Sequence, residues 1–528
     1  MSTSSPAPSP FWTIPRLSLA VSLVAGLAVV LTLGGPGVTT DEPLDVRPGR
    51  TYIATLRAEG WRFFTPEVVD RVFRDNAEHP PLGRWLLGIA STLAEPFETL
   101  AAGPDPLRLY LKSARLAPAV AFAALAGLIA ATAGRRYGPT AGWIAGLSLV
   151  LMPRVFAHAH LGALDTFITL FWVLALLSAE RSLKARRPVL AMALAGLFWG
   201  LALLTKIHAW LLIPVVGAWA LARLGPRRGS VALLIWAATG LLVFFVGWPW
   251  LWYDTLPRLS RYLGTGVERV AIYVQYFGRV YADRDVPWHY PWFYFAATVP
   301  VGLHLLGTVG TALAWRERRS DPFGLLLLGS IGLFLVLFST RVPVYDGERL
   351  FLMVFPLWAI LVGRGFAWAW GALQKRAQKV VLMAFVLAQG YGVVALHPFG
   401  LSYYNVLVGG LPGAEVLGLE LTFWGDAVDD VLLDRLAEDA GRGDSAALVP
   451  TLYPGQGLMS TTRRLVRREV LLRDEDVALS SRWVVVSRRS AYWKPKWRAR
   501  LASGLGRRVA VRTRQGVWLS ALWEFPIP

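Results

Sequence analysis

The sequence predicts a mainly α-helical, polytopic transmembrane bundle that ends in a small soluble α/β domain. Three observations carry that class. Of 528 residues, 55% are hydrophobic and only 17% are charged, whereas soluble domains carry roughly 45–50% apolar and about 25% charged residues. Apolar runs near the membrane-spanning length of about 18 residues recur along the chain. The region after residue 397 lacks such runs and shows short alternating segments instead.

About eleven spans are expected, near 17–34, 115–133, 140–156, 163–179, 189–204, 207–223, 231–248, 291–314, 323–339, 350–370 and 379–396. The first reads as an anchor rather than a signal peptide, because it is long and no small-residue cleavage site follows it. Between spans, one set of turns is short and basic: "GRRYG" (134–138), "ERSLKARR" (180–187), "RLGPRRGS" (223–230), "WRERRSD" (315–321) and "QKRAQK" (374–379). The positive-inside rule assigns these, with the 1–16 tail, to the cytoplasm. The same turns hold much of the net charge of +19, so no nucleic-acid partner is needed to explain it. The alternating loops then face outward, including 35–114, 248–292 and 341–349. The expected organisation is a tail (1–16), a membrane domain (17–396) in a bacterial-type inner membrane, and an extracytoplasmic α/β domain (397–528). In that last part, "DAVDDVLLDRLAEDAG" (426–441) reads as an amphipathic helix. "AALVPTL" (446–452), "RWVVVSRR" (482–489) and two runs about Gly516 read as strands. The absence of cysteine excludes disulfides, thiol chemistry and Cys-ligated zinc.

Polar clusters gather on the outward set of turns, as a catalytic vestibule would require. Asp41 and Glu42 follow the first span, and adjacent carboxylates suit general-base work on a hydroxyl; they equally suit a loop start or helix cap. In "NAEHPPLGRW" (76–85), Pro80 and Pro81 end one segment and start another. They hold Glu78 and His79 at the start of an interfacial helix, a position for binding a phosphate or a polar substrate. Lys206 is the only full charge between Arg187 and Arg223, and such residues are functional candidates or snorkelling groups. His158, His160 and Asp165 share one turn and are weak candidates for a divalent metal site; Asp165 equally opens a helix. Tyr345, Asp346, Glu348 and Arg349 precede a span, and His289 sits in an aromatic stretch, "DRDVPWHYPWFY". No cofactor is certain, and a divalent metal is one option.

Taken in order, "DE" (41–42), "EHPPLGRWL" (78–86), "LD" (164–165), "TK" (205–206), "PWHYPWFY" (287–294), "YDGERLFLMVFP" (345–356), "HPFGLSYYNVLVGG" (397–410) and "TFWGDA" (422–427) resemble the dolichyl-phosphate-mannose–protein mannosyltransferase superfamily. This is the GT-C glycosyltransferase class that includes the aminoarabinose transferases, and the chain looks like a bacterial branch of it. The resemblance implies a GT-C type bundle and inverting transfer of a hexose or pentose from a polyprenyl-phosphate donor. The acceptor would be a hydroxyl of a protein, lipid A-like lipid or glycan. It also implies Asp41 and Glu42 as catalytic, Lys206 and Arg349 at the donor phosphate, and Glu78, His79, Asp165, His289 and Tyr345 at the substrate. The competing class is a transporter or flippase of lipid-linked sugars, which would place ionisable groups near the midplane and show internal repeats.

Overall fold

The computed structural model describes residues 13–74, 79–102, 111–265, 270–460 and 462–526. Each expected apolar run is helical. By length and composition, four stretches among the described residues can cross a membrane: Ile14–Thr32, Leu111–Tyr137, Ile207–Gly247 and Arg376–Leu396. The pair Tyr290–Thr298 and Val301–Arg316, bent by 111°, makes a fifth if it is one span. Shorter apolar helices cover 139–151, 188–203 and 323–337. The 207–223 and 231–248 runs join in one helical stretch broken at Gly225, whose φ is 73°. A Cβ on Gly229 would stand 3.1 Å from the Ala220 carbonyl oxygen, so the chain reverses there as the basic turn predicts. Glycine also sets the closeness of packing elsewhere: Ser18 Oγ donates to the Gly127 carbonyl at 2.9 Å across the first two long helices.

The stretch after the first helix, α1 (Ile14–Thr32), is more ordered than a loop. It holds α2 (Asp41–Glu59), α3 (Pro66–Phe73) and α4 (Leu82–Ala102). Helices α2 and α4 cross at Gly49 and Gly88, where any Cβ would collide with the facing backbone. Pro80 and Pro81 precede α4, as expected for a helix entry. The Leu82 amide donates to the Leu204 carbonyl at 2.9 Å, which ties this entry to the "TK" turn.

Near the C-terminus, a mixed sheet has the strand order β4-β3-β5-β7-β6, with β3 (Ser445–Val449), β4 (Leu471–Asp474), β5 (Trp483–Ser487), β6 (Arg507–Arg514) and β7 (Val517–Glu524). Strands β1 (Tyr273–Tyr276) and β2 (Arg279–Ala282) form a separate hairpin. The sheet is buried on both faces because successive side chains alternate. Trp483 and Val485 meet Leu432, Leu433 and Leu436 of the 430–439 helix, while Val484 and Val486 meet Trp497 and Phe525. The β6–β7 turn has φ of 48° at Gln515 and 79° at Gly516, the left-handed pair that suits a tight hairpin.

Candidate active site

The centre is built where four distant segments meet. Asp41 opens α2, and its carboxylate pairs with the Arg349 guanidinium. Arg349 Nε also donates to Asp165 Oδ2 at 3.2 Å, and Lys206 Nζ donates to Asp165 Oδ1 at 2.7 Å. Asp41, Arg349, Asp165 and Lys206 therefore form one unbroken chain of charge. It has a depth: the Asp41 side chain is 25% exposed, Arg349 10%, Lys206 6% and Asp165 3%. Asp41 stands at the mouth and the Asp165–Lys206 pair at the bottom.

Further residues brace Arg349. Trp424 lies with its ring centroid 4.1 Å from the guanidinium carbon, a cation–π contact. The Trp424 indole N–H donates to Asp346 Oδ2 at 2.5 Å, and Asp346 Oδ1 accepts from Arg489 Nη2 at 2.6 Å. Arg489 follows β5, so the C-terminal sheet reaches the centre through one buried side chain. Asp346 and Trp424 have φ of 56° and 43°. Such backbone costs roughly 1–3 kcal/mol per residue and persists only where surroundings hold it; here both strained residues touch the same arginine.

The other expected site residues divide. Glu42 points away from the mouth and is fully buried. It accepts both Arg115 Nε (2.6 Å) and Nη2 (2.8 Å), the Thr39 amide (2.8 Å) and the Gly162 amide (2.9 Å). Arg115 spends its remaining donors on the Leu33, Pro36 and Gly37 carbonyls. Glu78 lies outside the described residues. His79 is beside the centre, half-buried; burial first, then the positive charges of Arg84, Lys206 and Arg349, hold its imidazole well below the ordinary range, so it is neutral near pH 7. Tyr345 is buried beside Arg349, its ring centroid 5.9 Å from the guanidinium carbon. His289 is one step removed. It bonds the Tyr276 hydroxyl at 2.8 Å, while its neighbour Tyr290 accepts the Gly347 amide.

The weak metal candidates His158 and His160 have other partners here. His160 Nε2 is 2.8 Å from Thr32 Oγ1 and its Nδ1 is 2.8 Å from the Phe156 carbonyl, so both nitrogens are taken. His158 turns toward Glu348, 3.6 Å away. Among the described residues no three His, Asp or Glu side chains converge as metal ligands.

Sequence reasoning overlooked Asp45 and Arg84. Asp45 lies one turn beyond Asp41, on the same helix face, and Arg84 Nε donates to it at 3.0 Å. Burial outweighs Arg84 and pushes the Asp45 carboxyl up to about 6. The four-residue spacing in "DEPLD" was the available signal. Arg489 offered none.

Residues 78–253, about a third of the chain, match the family described as dolichyl-phosphate-mannose-protein mannosyltransferase. The structure of ArnT from Cupriavidus metallidurans bound to undecaprenyl phosphate superposes with a TM-score of 0.51 at 16% identity, over 96% of this chain and 97% of that one. The apo form gives 0.50 at 17%, with the same coverage. The chain has the GT-C fold. No curated protein sequence matches. At this identity the likeness speaks for the fold, and with the apolar helices it makes this chain a multi-pass membrane protein. The matched segment contains His79, Asp165 and Lys206; Asp41, Arg349 and Trp424 fall outside it.

Proposed function

We propose that this GT-C chain transfers a sugar from a polyprenyl-phosphate donor to a hydroxyl acceptor at the extracytoplasmic face, with inversion at the anomeric carbon. The observation that carries the reading is the single chain of charge from Asp41 through Arg349 and Asp165 to Lys206. It joins a partly exposed carboxylate to two cations at the end of the bundle, which is what base-assisted displacement of a phosphate needs. ArnT has been solved with undecaprenyl phosphate, and that supports the donor class.

In this reading the acceptor oxygen bonds to the sugar C1 as the C1–O bond to phosphate breaks. The acceptor proton passes to Asp41, and the bonding pair leaves with the polyprenyl phosphate, whose charge Lys206 and Arg349 stabilise. Arg349 has a second task. Without donor it holds Asp41; a donor phosphate competes for the guanidinium and frees the carboxylate to take a proton. The base is thus exposed when the leaving group is in place. Trp424 and Asp346 keep the guanidinium in reach of both partners. Asp165 orients the two cations, and Glu42 fixes the start of α2 so that Asp41 faces the mouth.

The test is to delete the chain in its host and compare glycolipids and glycoproteins by mass spectrometry. The expected result is one glycan class that lacks one sugar, restored by the wild-type chain and not by Asp41→Asn. Full restoration by that variant removes the proposed base.

A further inference from the structure

A second charged feature lies on α2, separate from the centre. Arg47, Arg50 and Arg57 are spaced three and seven residues apart, and so share one helix face with Ala54. Together with Thr51, Ile53, Thr92 and Glu95 they line a groove of about 390 Å³ between α2 and α4, within the span of small-ligand sites, about 300–1,000 Å³. Arg50 is engaged across the groove: it donates to Ser91 Oγ at 2.9 Å and to Glu95 Oε2 at 2.8 Å. Arg47 and Arg57 are exposed and make no ion pair among the described residues. Glu95 offsets Arg50, so among the described residues the groove presents two guanidinium groups without an ion pair. The small side chain of Ala54 leaves the space between them open.

The two helices that form the groove also expose apolar side chains. On α4, Ile89 is 42% exposed and Leu93 66% exposed; Leu44 and Leu56 are exposed on α2, and Trp61, just past its end, is 89% exposed. An exposed tryptophan beside exposed leucines is the composition of a membrane–water interface. A soluble anion site has no use for apolar neighbours exposed on the same helices, whereas an amphiphile carrying a phosphate matches both parts. Guanidinium groups suit phosphate because their paired donors match its oxygens.

We infer that the α2–α4 groove binds the phosphate headgroup of an anionic membrane lipid, with Arg47 and Arg57 on the phosphate and the acyl chains along Ile89 and Leu93. This would hold α2, and with it Asp41, at a fixed depth in the interface. The inference is independent of the sugar-transfer reading, since none of these residues belongs to the centre.

The experiment is native mass spectrometry of the full chain in a neutral detergent, titrated with phosphatidylglycerol or phosphatidylcholine. The expected result is one phosphatidylglycerol bound in preference to phosphatidylcholine. That adduct should weaken at least tenfold in the Arg47→Ser/Arg57→Ser double variant and in Ala54→Phe, which fills the groove without touching charge. The arginines are exposed, so the double variant should fold even if the Phe does not fit. Equal binding of the two lipids, or undiminished phosphatidylglycerol binding in the double variant, overturns the inference. Displacement of the lipid by millimolar inorganic phosphate also overturns it, because the site would then be one for free anions.

Discussion

Asp41 and Glu42 are neighbours in sequence and opposites in circumstance. Glu42 is sealed with Arg115 at 0% exposure on both sides, every oxygen satisfied. Asp41 stands at the mouth. Among the described residues its one ion pair is to an arginine that has other partners, and its one other donor is the Thr40 hydroxyl at 3.3 Å. The same division recurs across the centre. Glu348 is locked to Arg154 at 2.9 Å, each 1% exposed, while the next residue, Arg349, reaches Asp41 at the mouth. In both pairs one charge is sealed and its neighbour is partly open: Asp41 is 25% and Arg349 10% exposed. The lesson is that a carboxylate's chemistry here depends on how many donors already hold it and whether water or substrate can reach it.

The sharpest way to break this comparison is to neutralise one member of each kind. Asp41→Asn should lower sugar transfer about 10²- to 10⁴-fold, the usual worth of a general base, while donor lipid still binds and the melting temperature stays near wild type. Glu42→Gln should do the reverse. It leaves Arg115 with no charged partner, which costs about 3–5 kcal/mol; a thermal melt of purified protein checks this. If Glu42→Gln melts normally and only loses activity, the two carboxylates share one task and the contrast fails.

Lys206→Met comes next. It removes one of two cations at the proposed leaving phosphate and should lower turnover about 10²- to 10³-fold, by analogy with loss of an electrostatic stabiliser. Kinetics with varied donor lipid are the measurement. Arg489→Met should have a smaller effect, about tenfold in kcat/KM, because it acts only through Asp346 on Arg349. Arg489→Lys should recover part of the loss, which a merely structural defect in the sheet would not predict.

The smallest effect is on pH dependence. Burial pushes the Glu420 and Asp426 carboxyls up to about 7, against 4.5 and 3.8 as their ordinary values. The folded state therefore holds these protons longer than the unfolded chain. Stability contributed by the neutral carboxyls is present in acid and declines as pH rises from about 4 to about 7. Melts at pH 5.5 and 7.5 should differ by roughly 1–3 °C, and Glu420→Gln should shrink that difference.

Much of the fold was legible. Apolar runs near the bilayer length, basic turns and the period-2 alternation around 446–525 each gave the right kind of element, because they are local properties. The expected 35–114 loop was too plain. The helix after Pro81 was expected, but α2 and α3 were not: α2 carries Pro43, Pro48 and Gly49 and shows little apolar periodicity, and α3 is only eight residues long. Four members of the centre, Asp41, Asp165, Lys206 and Arg349, were each visible as an unusual charge beside an apolar run. Trp424 was visible only as part of a motif, and Arg489 was one arginine in a basic stretch with nothing to mark it.

By itself the sequence determined that this chain is a helical membrane bundle with polar groups collected at its turns, since hydrophobic length and charge spacing need no partner to act. Tertiary structure alone decided which of those charges would be sealed and which left open. Glu42 meets Arg115 across 73 residues and Asp41 meets Arg349 across 308. The state of a buried charge is set by the partners that packing brings to it, and no local pattern records who they are.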